Sequence, residues 1–139
     1  MKKLFIAAVF VFLGVLVFFA LSSSICIGCE PTGLVTGSVS SFDFNESLEE
    51  DVVLIDIRTP REYEQGHIDG AVNIDFYSSD FVFSLSELDK SANYLIYCRS
   101  GSRSAQTLAL MKDMGFDSVQ ELSGGINSWK SSGLPVVFS

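Results

Sequence analysis

The chain is poor in the residues that most folds of special chemistry require. Among 139 residues it has one histidine, one tryptophan, three prolines and three cysteines. A single histidine nearly excludes a multi-histidine metal centre, and no metal is expected. Three cysteines are too few, and odd in number, for a disulfide scaffold. Basic charge is scarce as well. Nine lysines and arginines face seventeen acids, a net of −8. Lys2 and Lys3 precede every acid, so residues 30–139 hold seven cations against seventeen acids, or −10. A domain that acidic is a poor ligand for phosphate backbones, which argues against nucleic acid as a partner. What the chain does have is apolar residues, 47% of the total, and 11 glycines. That excludes a disordered or collagen-like polymer, and the length suits one domain.

Residues 1–29 read as an address. Met1-Lys2-Lys3 is a short positive start, and Leu4 to Leu21 carries no charge over 18 residues. Ser22-Ser23-Ser24 closes the run. Charged, apolar and small, in that order, is the pattern of a secretory signal. The run also just reaches the length that spans a bilayer. Three fates fit: cleavage after Ser22 or Ser24, an uncleaved anchor through residues 4–21, or lipid attachment at Cys29 in a degenerate lipoprotein site. All three send the domain to the periplasmic or extracellular side, since Lys2 and Lys3 stay in the cytoplasm. Cys26-Ile27-Gly28-Cys29 has the spacing of a redox dithiol or half a zinc site. No strand precedes it and no second ligand pair accompanies it, so a cap to the signal or a small disulfide fits better. Either way Cys98 is left as the unpaired thiol of the domain.

Residues 30–41, rich in Gly, Ser and Thr, read as a tether. Residues 42–139 alternate strand and helix signals with no internal repeat. Phe42 to Asp51 has helical spacing at Phe44 and Leu48. Val52 to Ile57 and Tyr94 to Tyr97 are unbroken apolar runs, the pattern of strands buried on both faces. Pro60 opens a short helix through Gln65. Ala71 to Ile74 and Val119 to Leu122 are shorter strands. A helix is predicted near Ser84 to Leu88. Ser104 to Met114 is the clearest helix, with Ala105, Leu108, Met111 and Met114 on one face and Gly115 as its stop. Ile126 to Ser131 is a terminal helix. The order implies an α/β fold with a mostly parallel sheet between helices. Phe42, Phe44, Phe76, Phe81 and Phe83 are expected in the core, with Phe76 to Phe83 a second candidate for the rim of a pocket. Trp129 is expected as a core anchor.

The chemistry converges on Cys98. It follows a buried parallel strand, at the carboxyl edge where open α/β sheets place their ligands. Arg99-Ser100-Gly101-Ser102-Arg103 then turns into a helix start. Gly101 permits a left-handed backbone, and small serines let loop N–H groups point inward. A helix N-terminus and two arginines add positive potential. Each factor lowers a thiol pKa. The expected product is a thiolate in a cradle that also accepts an anion.

Cys98-Arg99-Ser100-Gly101-Ser102-Arg103-Ser104 resembles the active-site loop of rhodanese-type sulfurtransferases. Asp56-Ile57-Arg58, Glu62-Tyr63 and Gly66-His67-Ile68-Asp69-Gly70-Ala71-Val72-Asn73-Ile74 resemble the upstream signature of that family. Gly124-Gly125-Ile126-Asn127-Ser128-Trp129 resembles its C-terminal one. Together they cover roughly residues 40 to 135. The resemblance implies a three-layer rhodanese-like fold with a five-stranded, mostly parallel sheet. It implies Cys98 as the nucleophile that takes a sulfur from thiosulfate or a related donor, and hands it to cyanide, a thiol or an acceptor protein. N–H groups from Arg99 to Ser104 are then expected to steady the charged sulfur, and Arg99 and Arg103 to hold the sulfonate. No cofactor is implied.

Asp56 and Arg58 have two readings, a structural ion pair (Arg58 with Asp56 or Glu62) or a lining of the pocket. His67 is expected in a hydrogen-bonded structural role between two turn glycines, with a base for Cys98 as the alternative. Two other functions stay open beside the sulfurtransferase. One is a sulfur carrier or binding module without catalysis. The other is a cysteine phosphatase, whose loop holds five residues between cysteine and arginine; here four separate Cys98 from Arg103. Export also exposes a lone low-pKa thiol to oxidants. Cys98 is therefore expected as a persulfide or shielded within its loop.

Overall fold

The computed structural model describes residues 35–138. Residues 1–29, read above as an address and holding Cys26 and Cys29, and the first residues of the expected tether lie outside the described residues. Among the described residues, no helix is long and apolar enough to cross a membrane.

The two apolar runs pair at the centre of a sheet. β2 (Val53–Asp56) lies parallel to β4 (Asn93–Tyr97), with Val53 opposite Tyr94 and Asp56 opposite Tyr97. β5 (Ser118–Leu122) flanks β4, and β3 (Val72–Asn73) flanks β2. β1 (Gly37–Val39) adds an outer strand along β5. All pairs are parallel, and the order is β1-β5-β4-β2-β3. Every strand therefore ends on one edge, where the connections to helices gather. β1 corrects the tether reading of residues 30–41. Its three residues are too few, and too exposed, to show an apolar period.

Five helices cover the sheet: α1 (Ser41–Ser47), α2 (Pro60–Glu64), α3 (Phe81–Ser86), α4 (Ser102–Asp113) and α5 (Gly125–Ser131). Alternation along β4 sorts the core. Tyr94, Ile96 and Cys98 join Ile55, Ile57, Val119 and the buried faces of α3 and α4. Leu95 and Tyr97 join Leu54, Leu122, Phe44 of α1 and Ile126 and Trp129 of α5. Each large side chain so buried contributes about 1.5–3 kcal/mol relative to exposure. Trp129 is fully buried and donates from Nε1 to the Pro135 carbonyl at 2.7 Å, as expected of a core anchor.

Three expectations about faces need correction. Phe42 is 70% exposed and Phe83 67%, so neither is core. Each lies two residues from the buried Phe of its own helix, Phe44 or Phe81, about 200° around the axis. α3 also starts at Phe81, ahead of the predicted Ser84. On α4 the buried stripe is Ser104, Thr107, Leu108 and Met111, and Ala105 faces solvent. The apolar period hid two inward hydroxyls, and one of them reaches the sulfur.

Candidate active site

Cys98 follows β4 directly and continues its alternation, so its side chain lies on the α4 face. The chain then curls back through Gly101, whose φ of +91° is the left-handed conformation expected of a glycine there. This bend turns backbone N–H groups onto the sulfur. Gly101 N donates to Sγ at 3.2 Å, and Ser104 Oγ lies 3.6 Å from it. Cys98 is 1% exposed. Burial pushes its pKa up, but the hydroxyl of Ser104 and the N–H groups of Ser104, Ser100 and Gly101 outweigh burial and hold it below the ordinary value. These contacts favour the thiolate relative to an ordinary cysteine, at a sulfur with almost no solvent exposure.

The loop is held from behind by α5. Ile126 N donates to the Cys98 carbonyl at 2.9 Å, and Asn127 N to the Arg99 carbonyl at 3.2 Å. The contact needs Gly125. A Cβ there would stand 2.5 Å from the Cys98 oxygen and 2.7 Å from that of Arg99, at a φ of +59°.

Ser104 has no exposed surface, and three acceptors surround its one hydroxyl proton. They are Glu121 Oε2 at 2.7 Å, the Gly101 carbonyl at 3.0 Å and Cys98 Sγ. Glu121, itself 3% exposed, accepts from Ser38 through its other oxygen. A carboxylate from β5 thus reaches the sulfur through one serine. Sequence reading missed Glu121, because Glu121 and Ser104 are 17 residues apart. An acid inside a strand was the available signal.

Arg103 has a partner that its sequence did not reveal. Its Nη1 and Nη2 donate to the two oxygens of Glu62 at 3.1 and 2.9 Å, and its guanidinium lies 5.4 Å from the Tyr77 ring centre. Glu62 is held down to about 2, chiefly by Arg103 and further by Thr59. Arg99, Ser100 and Ser102 are exposed. Arg99 carries no ion pair or side-chain hydrogen bond among the described residues and lines an open cavity of about 240 Å³ with Arg58, Glu62, Gln65, Asn127 and Lys130.

Asp56 and Arg58 form the structural pair. Both are buried, and Arg58 Nε and Nη2 donate to the Asp56 carboxylate at 3.0 and 2.5 Å. Nη2 also donates to the Gly66 carbonyl at 2.9 Å, while Asn73 ties the backbone of both residues. Burial lowers and Asp56 raises the Arg58 pKa; the net direction is up. Burial pushes Tyr97 up as well, with Asp56 adding to it. Arg58 is therefore both readings at once, tied to Asp56 and edging the cavity. Among the described residues His67 contacts Tyr63, by stacking at 3.7 Å and through Nδ1 to its carbonyl, and Val137 through the backbone. None is with the loop, which fits the structural role.

A buried thiol on the carboxyl edge of a five-stranded parallel sheet, ringed by loop amides, can now be set beside known proteins. The family model of the rhodanese-like domain matches residues 43–132, well over half of the chain. The chain belongs to the rhodanese-like domain family. Within it, a sulfurtransferase of Allochromatium vinosum is 43% identical over 88 residues, covering 63% of this chain and 80% of that protein. Thiosulfate sulfurtransferase 16 of Arabidopsis thaliana chloroplasts is 33% identical over 91 residues, covering 58% and 76%. The crystal structure of a rhodanese-related protein from Thermoplasma volcanium superposes with a TM-score of 0.66 at 28% identity, over 73% of this chain and 98% of that one. The rhodanese-like fold is thus the observed one, and sulfur transfer is the general chemistry that the family and these relatives support.

Proposed function

We propose that the domain is a thiosulfate sulfurtransferase working through a persulfide on Cys98. The observation that carries this reading is the sulfur itself: buried, yet held toward the thiolate by three backbone N–H groups and a hydroxyl. A structural cysteine has no use for that arrangement.

The reaction has two displacements. The Cys98 thiolate attacks the outer sulfur of thiosulfate. A bond forms between Sγ and that sulfur, the bond to the sulfonate sulfur breaks, and sulfite leaves with its electron pair. Sulfite needs no proton to depart, so no general acid is required. An acceptor nucleophile, cyanide or a thiolate, then attacks the outer persulfide sulfur and Cys98 leaves as the thiolate. The amides of Ser100, Gly101 and Ser104 stabilise the anionic sulfur in both steps. Arg99, whose guanidinium has no ion pair or hydrogen bond among the described residues, attracts the sulfonate; Arg103 adds positive potential while bound to Glu62. The export reading of residues 1–29 places this chemistry on the outer side of a membrane, anchored or free.

The test is thiosulfate-to-cyanide transfer by the full chain, beside Cys98→Ser. Thiocyanate formation that drops by roughly 10³-fold or more in the variant is the expected result. A folded wild-type protein that forms neither thiocyanate nor a Cys98 persulfide with thiosulfate would overturn it. A persulfide that forms but reaches no small acceptor would mark a sulfur carrier instead.

A further inference from the structure

The domain is acidic, yet its cations are not spread evenly. Arg58, Arg99 and Lys130 line the one cavity described above, and Arg103 adjoins it through their shared neighbour Glu62. Four of the seven lysines and arginines after residue 29 thus gather beside the Cys98 loop. Like charges repel, so cations gathered in this way favour an anion between them, although residues 30–139 carry −10 in all. Arg58 and Arg103 are paired with Asp56 and Glu62, so the charge left for a ligand is that of Arg99 and Lys130. Arg99 and Lys130 make no ion pair and no side-chain hydrogen bond among the described residues. Arg58 uses Nε and Nη2 on Asp56 and Gly66 and edges the lining from there. The only acid in the lining, Glu62, already gives both oxygens to Arg103. Gln65 and Asn127 add two amides, neutral groups that suit carboxylate oxygens as well.

We propose that this cavity binds the carboxylates of a small thiol that is the sulfur acceptor, with a dicarboxylate thiol as the preferred class. Arg99, the first loop residue after Cys98, lines the cavity, so a thiol held there lies against the loop that carries the persulfide. The assignment rests on the transfer reading above and names the acceptor class for that same site. A volume of about 240 Å³ has room for a molecule of roughly a dozen heavy atoms. Planar guanidinium groups and a mobile ammonium select carboxylates over neutral thiols. Cyanide, too small to span the cavity, gains nothing from it.

The test has a binding arm and a turnover arm, both on the full chain. In the first, succinate is titrated into Cys98→Ser at constant ionic strength and backbone amides are followed by NMR. Saturable shifts at Arg99, Asn127 and Lys130 are expected, with affinity falling roughly fivefold when Lys130→Gln is added, the upper end for one exposed charge contact. In the second, wild type transfers sulfur from thiosulfate to mercaptosuccinate or to 2-mercaptoethanol. The ratio of kcat/KM is expected to favour mercaptosuccinate roughly tenfold, and Lys130→Gln is expected to shrink that ratio through KM. Shifts that never saturate, or a ratio of one in the wild type, would overturn the site. Saturable succinate binding without any thiosulfate turnover, to cyanide included, would instead overturn the transfer reading and with it the acceptor assignment.

Discussion

Two helices begin on the same edge of the sheet, one after β2 and one after β4, and they treat their first turns in opposite ways. The N-terminus of α2 is closed. Thr59 accepts from Glu62 N, Glu62 accepts from Thr59 N, and Pro60 has no N–H to satisfy. This is a capping box, the arrangement that satisfies exposed helix donors with the protein's own side chains. The N-terminus of α4 has no side-chain cap at all. Its cap position is Gly101, and the amides of Gly101 and Ser104 face the Cys98 sulfur. The residues ahead of the two helices differ in the same sense. Arg58 and Asp56 spend their charges on each other, while Cys98 and Arg99 keep theirs available. A donor set becomes a site only where the fold withholds its own acceptors from it.

The largest test of that contrast is at its closed end. Asp56→Ala leaves the Arg58 guanidinium buried without its counter-charge, and a loss of about 3–5 kcal/mol is expected in denaturant unfolding. A loss under about 1 kcal/mol would mean that the pair is not what holds this end shut.

Next comes the wall behind the open end. Gly125→Ala drives a methyl group into the Cys98 and Arg99 carbonyls from a left-handed backbone. A loss of roughly 2 kcal/mol is expected, together with a large fall in transfer rate by the protein that remains folded. A variant with normal Tm and normal rate would show that the loop does not depend on α5.

The pH dependence of Cys98 alkylation probes the open donors themselves. The Cys98 pKa is held below that of an unperturbed thiol, so the rate is expected to rise with pH through a midpoint below that of an unperturbed thiol. Below that midpoint the thiol is protonated and slow. Ser104→Ala removes a donor while burial persists, so the midpoint moves up. Glu121→Gln removes the nearest competitor for the Ser104 proton and a nearby negative charge, so the midpoint moves down. Shifts in the same direction for both variants would contradict the geometry.

The smallest effect is expected from Thr59→Ala. Loss of the α2 cap costs about 1 kcal/mol and leaves the alkylation midpoint where it was. A moved midpoint would reveal coupling between the two helix starts through Glu62 and Arg103.

How much of this was legible beforehand depended on the range of the interaction. The Cys98 loop was readable because everything that shapes it, the strand before it, Gly101 and the helix after it, is contiguous. So were β2, β4 and the start of α2, whose signals are runs and caps. β1 was not, since its three residues are a strand only because β5 lies beside them. The pairing of Arg103 with Glu62 was hidden for the same reason, 41 residues separating the two. Sequence placed both arginines of the loop on the substrate; tertiary contact paired Arg103 with Glu62 and left Arg99 without an ion pair among the described residues.

By itself, then, the sequence determined the place of Cys98, the loop that lowers its pKa, and the alternating pattern that produces a parallel sheet. Local backbone preference and apolar periodicity carry that information. Which charges are spent and which remain open was decided by the tertiary structure alone. A side chain is free or paired according to what the fold brings within about 3 Å of it, and residues as distant as Arg99 and Lys130 meet at one cavity only after β4 and α5 have packed.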